Sequence, residues 1–167
     1  TLTFAVTTND NTKRYRAVWT NSAGTANSNA AVLTVNAIPQ LSSNLTASVT
    51  SGTAFTYTPT SSTSGTTFAW SRSTVTGISN AANNGTAGIN ESLINTTSSP
   101  VNVTYVYTLN ASGCTNTQNL VVTVNPEAVT VPATVTLQPA SQTKCAGQNV
   151  SFTSSANGVP SPTVQWQ

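Results

Sequence analysis

The groups able to do chemistry in this chain are few and scattered. Its only acidic side chains are Asp10, Glu91 and Glu127, far apart in sequence, and it has no histidine. General acid–base catalysis needs a positioned pair of titrating groups, usually histidines or carboxylates. A metal centre needs clustered His, Cys or carboxylates, and Ca²⁺ wants several oxygens around one loop. A serine without a basic partner stays inert. Lys13 and Lys144 lie among polar turn residues, and no Gly-x-Ser-x-Gly frame surrounds any serine. The expectation is a chain that is not an enzyme: no catalytic residue, no cofactor, no metal ligand, and no ligand-binding residue that the sequence identifies.

Three other features could bind something. Trp19, Trp70 and Trp166 could be stacking platforms for sugars, but their place in alternating runs favours core packing. Lys13-Arg14-Arg16 could meet phosphate or an anionic glycan. Three residues make a solvated turn and strand face more readily than the broad basic patch of a nucleic-acid binder, so no nucleic-acid partner is expected. Asn-x-Ser/Thr occurs at Asn44, Asn84, Asn90, Asn95, Asn102, Asn110 and Asn149. So Ser/Thr-rich a chain reaches that count by chance, and no glycosylation signal follows.

The elements holding these residues follow from composition. Only 5% of the residues are charged, against roughly 25% in ordinary soluble domains, so neutral Thr, Ser and Asn must wet the surface. Threonine's branched β-carbon suits a pleated strand, and Val, Thr, Tyr, Phe and Trp recur in short alternating runs. No run reaches the roughly 20 apolar residues that span a bilayer. Without Met or a signal peptide, the sequence is expected to be an interior piece of a longer secreted protein.

Repetition gives the organisation. Tyr15-Arg16-Ala17-Val18-Trp19 runs to Gly24 and closes at Leu33-Thr34-Val35-Asn36. Tyr105-Val106-Tyr107-Thr108-Leu109 runs to Gly113 and closes at Val122-Thr123-Val124-Asn125. Eleven positions separate glycine from final valine in both, and each phrase predicts a hairpin. A second phrase leads from Gly52 through Phe55 and Tyr57 to Trp70, and again from Gly147 through Phe152 to Trp166. The order close, open, close, open predicts residues 1–37 as the C-terminal part of one immunoglobulin-like domain. Residues 38–126 are then a complete sandwich, and 127–167 the N-terminal part of another. The middle module is near the roughly 100 residues of such a sandwich. Val101, Val103, Tyr105, Tyr107 and Leu109 share one face of a strand, as do Phe55 with Tyr57 and Phe68 with Trp70. Asn84-Gly85 predicts a tight turn within an otherwise unassigned polar stretch, Thr74–Gly88. The joints Ala37-Ile38-Pro39 and Asn125-Pro126-Glu127 are short and proline-bearing, hence stiff. The fold class is therefore all-β, with tandem immunoglobulin-like β-sandwiches in an extended rod.

Specific phrases resemble known families. Gln138-Pro139, Cys145-Ala146-Gly147, Pro160-Ser161-Pro162 and Val164-Gln165-Trp166 resemble the opening of a bacterial immunoglobulin-like domain. Tyr15-Arg16-Ala17-Val18 with Ser28–Val35 resembles the closing half of one. Phe55-Thr56-Tyr57-Thr58-Pro59, Thr66–Trp70, Ile94–Thr97 and Gly113-Cys114-Thr115-Asn116 resemble the PKD-like domains of Bacteroidota. The resemblance implies a non-catalytic repeat of a secreted, cell-surface adhesin exported by type IX secretion, of the gliding-motility kind, acting as its stalk and also a candidate for its adhesive surface. Its partners would be neighbouring modules of the same chain, with glycans or surfaces as candidates. A filament unit and a spacer trailing a secreted hydrolase are alternatives. The resemblance also places Tyr15 at a tyrosine corner and Ala17 where a cysteine often stands. It puts Cys114 opposite Thr50, and Cys145 opposite a position outside the sequence, which implies that neither is bridged.

Overall fold

Branched and aromatic side chains pack well across a pleated surface, and the chain is built of strands accordingly. The computed structural model describes residues 1–167, with thirteen strands, a 3-10 turn at Thr8–Asp10 and no α-helix. The chain divides into two units, Thr1–Pro126 and Glu127–Gln167.

The first unit begins with two small antiparallel pairs. β1 (Arg14–Tyr15) joins β4 (Ala31–Val32), and β2 (Val18–Asn21) joins β3 (Gly24–Asn27). No residue of 1–37 is buried. The sandwich follows: β5 (Thr46–Thr50), β6 (Ala54–Tyr57), β7 (Thr67–Arg72), β8 (Asn83–Thr86), β9 (Ile89–Ser92), β10 (Val101–Ala111) and β11 (Cys114–Asn125). One sheet has the order β5-β11-β10-β7-β8, and the other pairs β6 with β9. β5 runs parallel to β11, with Thr46–Thr50 against Val121–Asn125, and the other pairs are antiparallel.

The strict alternation of β10 explains the core. Val103, Tyr105, Tyr107 and Leu109 are wholly buried, as are Leu120, Val122 and Val124 on β11. Phe55 of the second sheet lies 6.1 Å from Tyr105, and Tyr57 lies 5.7 Å from Tyr107. Burying each such side chain contributes about 1.5–3 kcal/mol. The hydroxyl of Tyr107 donates to the Ala87 carbonyl at 3.1 Å, and that of Tyr57 bonds Ser43 at 2.6 Å. Those partners let polar aromatic tips sit inside without loss.

Three expectations need correction. Of the tryptophans, Trp70 is in the core at 7% exposure, but Trp19 is 72% and Trp166 53% exposed, because no second sheet covers the segments carrying them. Asn84-Gly85 is not a turn: both lie inside β8, paired with Ser71 and Trp70. A β-carbon on Gly85 would sit 2.9 Å from the Trp70 ring, so glycine is there to let the indole lie flat on the backbone. Finally, Gly24 and Gly113 are not equivalent. Asn21 pairs with Gly24 around a Ser22-Ala23 loop, whereas Ala111 pairs with Cys114 around Ser112-Gly113. Gly24 thus stands where Cys114 does. The returning strand then carries one extra residue, since Val18 faces Asn27 but Tyr15 faces Ala31, and this bulge restores the equal spacing to the final valines.

In the second unit, β12 (Val131–Leu137) pairs antiparallel with β13 (Ser155–Val159), with two register shifts. No residue of this unit is buried.

Candidate functional site

The only charged residues between 38 and 126 are Arg72 and Glu91, and the fold brings them together. Arg72 ends β7 and continues the inward parity of Phe68 and Trp70. Glu91 lies on β9 and continues the parity of Ile89 and Leu93. Each therefore points between the sheets, and they meet side by side. Arg72 Nε donates to Glu91 Oε2 at 3.1 Å, and Nη2 donates to Oε1 at 3.0 Å. This bidentate fork is the strongest geometry open to a guanidinium and a carboxylate.

The remaining lone pairs of the carboxylate are filled, as are all but one of the guanidinium N–H groups. The Tyr105 hydroxyl donates to Oε2 at 2.6 Å and Asn83 Nδ2 donates to Oε1 at 2.7 Å. Arg72 Nη2 also donates to the Ala81 carbonyl at 2.7 Å and Nη1 to the Ser73 carbonyl at 3.3 Å. The guanidinium carbon lies 6.0 Å from the Tyr105 ring centre, within reach of a cation–π attraction. Burial alone would raise the Glu91 pKa, but hydrogen bonds from Arg72, Tyr105 and Asn83 outweigh it and hold the carboxyl below its ordinary value. The hydrogen bonds that Arg72 donates to Glu91, opposed by desolvation, raise the Arg72 pKa. Burial first and Glu91 second push the Tyr105 hydroxyl far up. A carboxylate with four donors on it has no free lone pair for a substrate. The chemistry of this arrangement is to tie one sheet to the other.

The other candidates lie apart from it. Asp10 accepts from Lys13 Nζ at 2.7 Å and from Thr7 N and Oγ1 at 2.8 and 2.9 Å. The Lys13 hydrogen bond, then those from Thr7, lower its pKa to about 2. Arg14, Arg16, Glu127 and Lys144 are exposed. Cys114 and Cys145 are free thiols, and Cys114 Sγ lies 3.8 Å from the Asn36 carbonyl. No group of three His, Cys, Asp or Glu side chains is placed to hold a metal ion. No helix is long and apolar enough to cross a membrane. The Arg72–Glu91 pair was not anticipated from the sequence, although the period-two parity of Phe68-Trp70-Arg72 and Ile89-Glu91-Leu93 carries the signal.

The outer face of the five-stranded sheet is the counterpart of this interior. β10 presents Asn102, Thr104, Val106, Thr108 and Asn110, and β5 presents Thr46, Ser48 and Thr50. β7 adds Thr67, Ala69 and Ser71. It bears no charge and no aromatic ring.

The profile of the PKD-like domain family matches residues 34–128, more than half of the chain. No curated protein matches it.

Proposed function

The chain belongs to the PKD-like domain family, and on that premise we propose that it is a non-catalytic spacer in the stalk of a secreted bacterial surface adhesin. PKD-like modules are extracellular structural or adhesion units. The choice of spacer over binding face rests on one observation. Phe55, Tyr57, Phe68, Trp70, Tyr105 and Tyr107 of the matched module all turn inward, and the outward sheet face offers only hydroxyls, carboxamides and a few small apolar groups. A sugar-binding face uses exposed rings, because stacking supplies much of the contact energy. The setting comes from the resemblance to giant Bacteroidota surface proteins of the type IX-secreted, gliding-motility kind. There, the partners of such a module are the neighbouring modules of the same chain.

The test is a binding screen of the folded chain on a glycan array and on abiotic surfaces. No saturable binding is expected. Saturable binding that Val106→Asp or Thr108→Asp abolishes would replace the spacer with an adhesive face.

A further inference from the structure

The segment that leads into the sandwich follows β11 from one end to the other. Asn36 meets the β10–β11 turn: its Nδ2 donates to the Ser112 carbonyl at 2.9 Å, and its own carbonyl lies 3.8 Å from Cys114 Sγ. Asn116 Nδ2 donates to the Pro39 carbonyl at 2.9 Å, and Leu41 N donates to Gln118 Oε1 at 2.5 Å. Val121 N then donates to the Leu45 carbonyl at 2.9 Å, β5 pairs with Val121–Asn125, and Ser51 N closes on the Asn125 carbonyl at 2.8 Å. From Asn36 to Ser51 the chain therefore runs in the same direction as β11, from the turn to the last residue of the strand. Side chains pin the first half of this seam and backbone pairing the second. Asn116 and Gln118 continue the inward parity of Leu120, Val122 and Val124, and a carboxamide suits each place because its partner is a backbone group outside any strand. Pro39, on the same line, is wholly buried, and Leu41 is nearly so.

The two ends of the seam are also where the chain enters and leaves the sandwich. A pull on the chain before Asn36 and after Asn125 acts on the two partners in opposite senses and from opposite ends. Hydrogen bonds between parallel partners lie across that direction, evenly spaced, so all of them are strained together and none opens ahead of the rest. A pull that spread Asn36 from Ser112 would meet the same links one at a time. We infer that the seam is a tension clamp, in which Asn36–Ser51 is locked in shear against β11 and the module resists unfolding when its chain is drawn out end to end. The inference rests on the spacer reading for the origin of the load, since a stalk is pulled along its chain. Resistance to a pull is governed by the rate of unfolding and not by equilibrium stability, so it is read separately from any melt.

Single-molecule pulling of the full chain in two directions tests this. Handles on the two chain ends load the seam in shear. Handles on the N-terminal end and on Ser112→Cys, an exposed turn position, load it link by link. Cys114 and Cys145 are replaced by serine in both. Residues 1–37 and 127–167 bury nothing and extend first, so the sandwich gives the last event. At equal pulling speed the end-to-end force is expected to be several-fold the other, and Asn116→Ala with Gln118→Ala should lower it. Equal forces in the two directions would overturn the inference, as would an end-to-end force that the double substitution leaves unchanged. The comparison of directions needs no weakened variant, so it decides even where the double substitution prevents folding. Binding and clamping also fail separately: a module that binds a glycan can carry the seam, and a spacer can lack it.

Discussion

One ion pair carries all the formal charge of the sandwich, and its two halves are unequal to losing each other. Glu91→Ala would leave the Arg72 guanidinium, 2% exposed, without a counter-ion. The expected cost is about 3–5 kcal/mol, read as a fall in the urea midpoint. Replacing both, as Arg72→Met with Glu91→Leu, should recover most of that or exceed the parent, because two desolvation penalties vanish together. Protonation imitates the single loss. The fold holds the Glu91 pKa below its ordinary value of 4.5, so the stabilisation is fully present above that value and is lost as the pH falls through the folded one. No other carboxylate or histidine lies between 38 and 126. Urea melts of the sandwich at about pH 7 and about pH 3 should therefore differ by one group's linkage, and Glu91→Gln should flatten the difference. In the sequence the two residues are nineteen positions apart and read as stray charges. Alternation places each inward, but only the pairing of β6 with β9 and of β7 with β8 brings them to the same spot.

At the scale of the strand, alternation made the core legible. Val103, Tyr105, Tyr107 and Leu109 were evident as one face because every second residue of β10 is apolar and the others, Val106 apart, are polar. Turn positions were harder. Asn84-Gly85 has the composition of a hairpin turn, yet packing against Trp70 claims the glycine for a strand. Gly85→Ala should accordingly destabilise by about 1–3 kcal/mol through overpacking, seen in thermal melts, although its backbone is ordinary. The glycine that does serve a turn is Gly113, at φ 82° beside Ser112 at 49°. Two successive left-handed residues make the loop that suits the twist of β10 and β11. Gly113→Val should cost about 1–2 kcal/mol, and Gly113→Asn less. The exposed Trp19 and Trp166 were misjudged for a different reason. Their local pattern is that of core residues, but burial depends on a facing sheet, which a strand's own sequence does not contain. The joint before the sandwich is tied rather than loose: Asn36 Nδ2 donates to the Ser112 carbonyl and Asn116 Nδ2 to that of Pro39, both at 2.9 Å.

Across the whole molecule, stability is unevenly placed. Buried residues are confined to the sandwich, and residues 1–37 and 127–167 have none. Amide hydrogen exchange should show β10 and β11 opening only with global unfolding, while β2, β3, β12 and β13 exchange orders of magnitude faster. The seclusion of both charges of the sandwich has a further effect on its surroundings. Its surface gathers almost no electrical double layer, so neighbouring molecules neither repel through counter-ion clouds nor attract when salt collapses them. Crowded side by side, such modules would keep their distance by bound water and steric bulk alone, and fresh water and sea water would find them spaced alike.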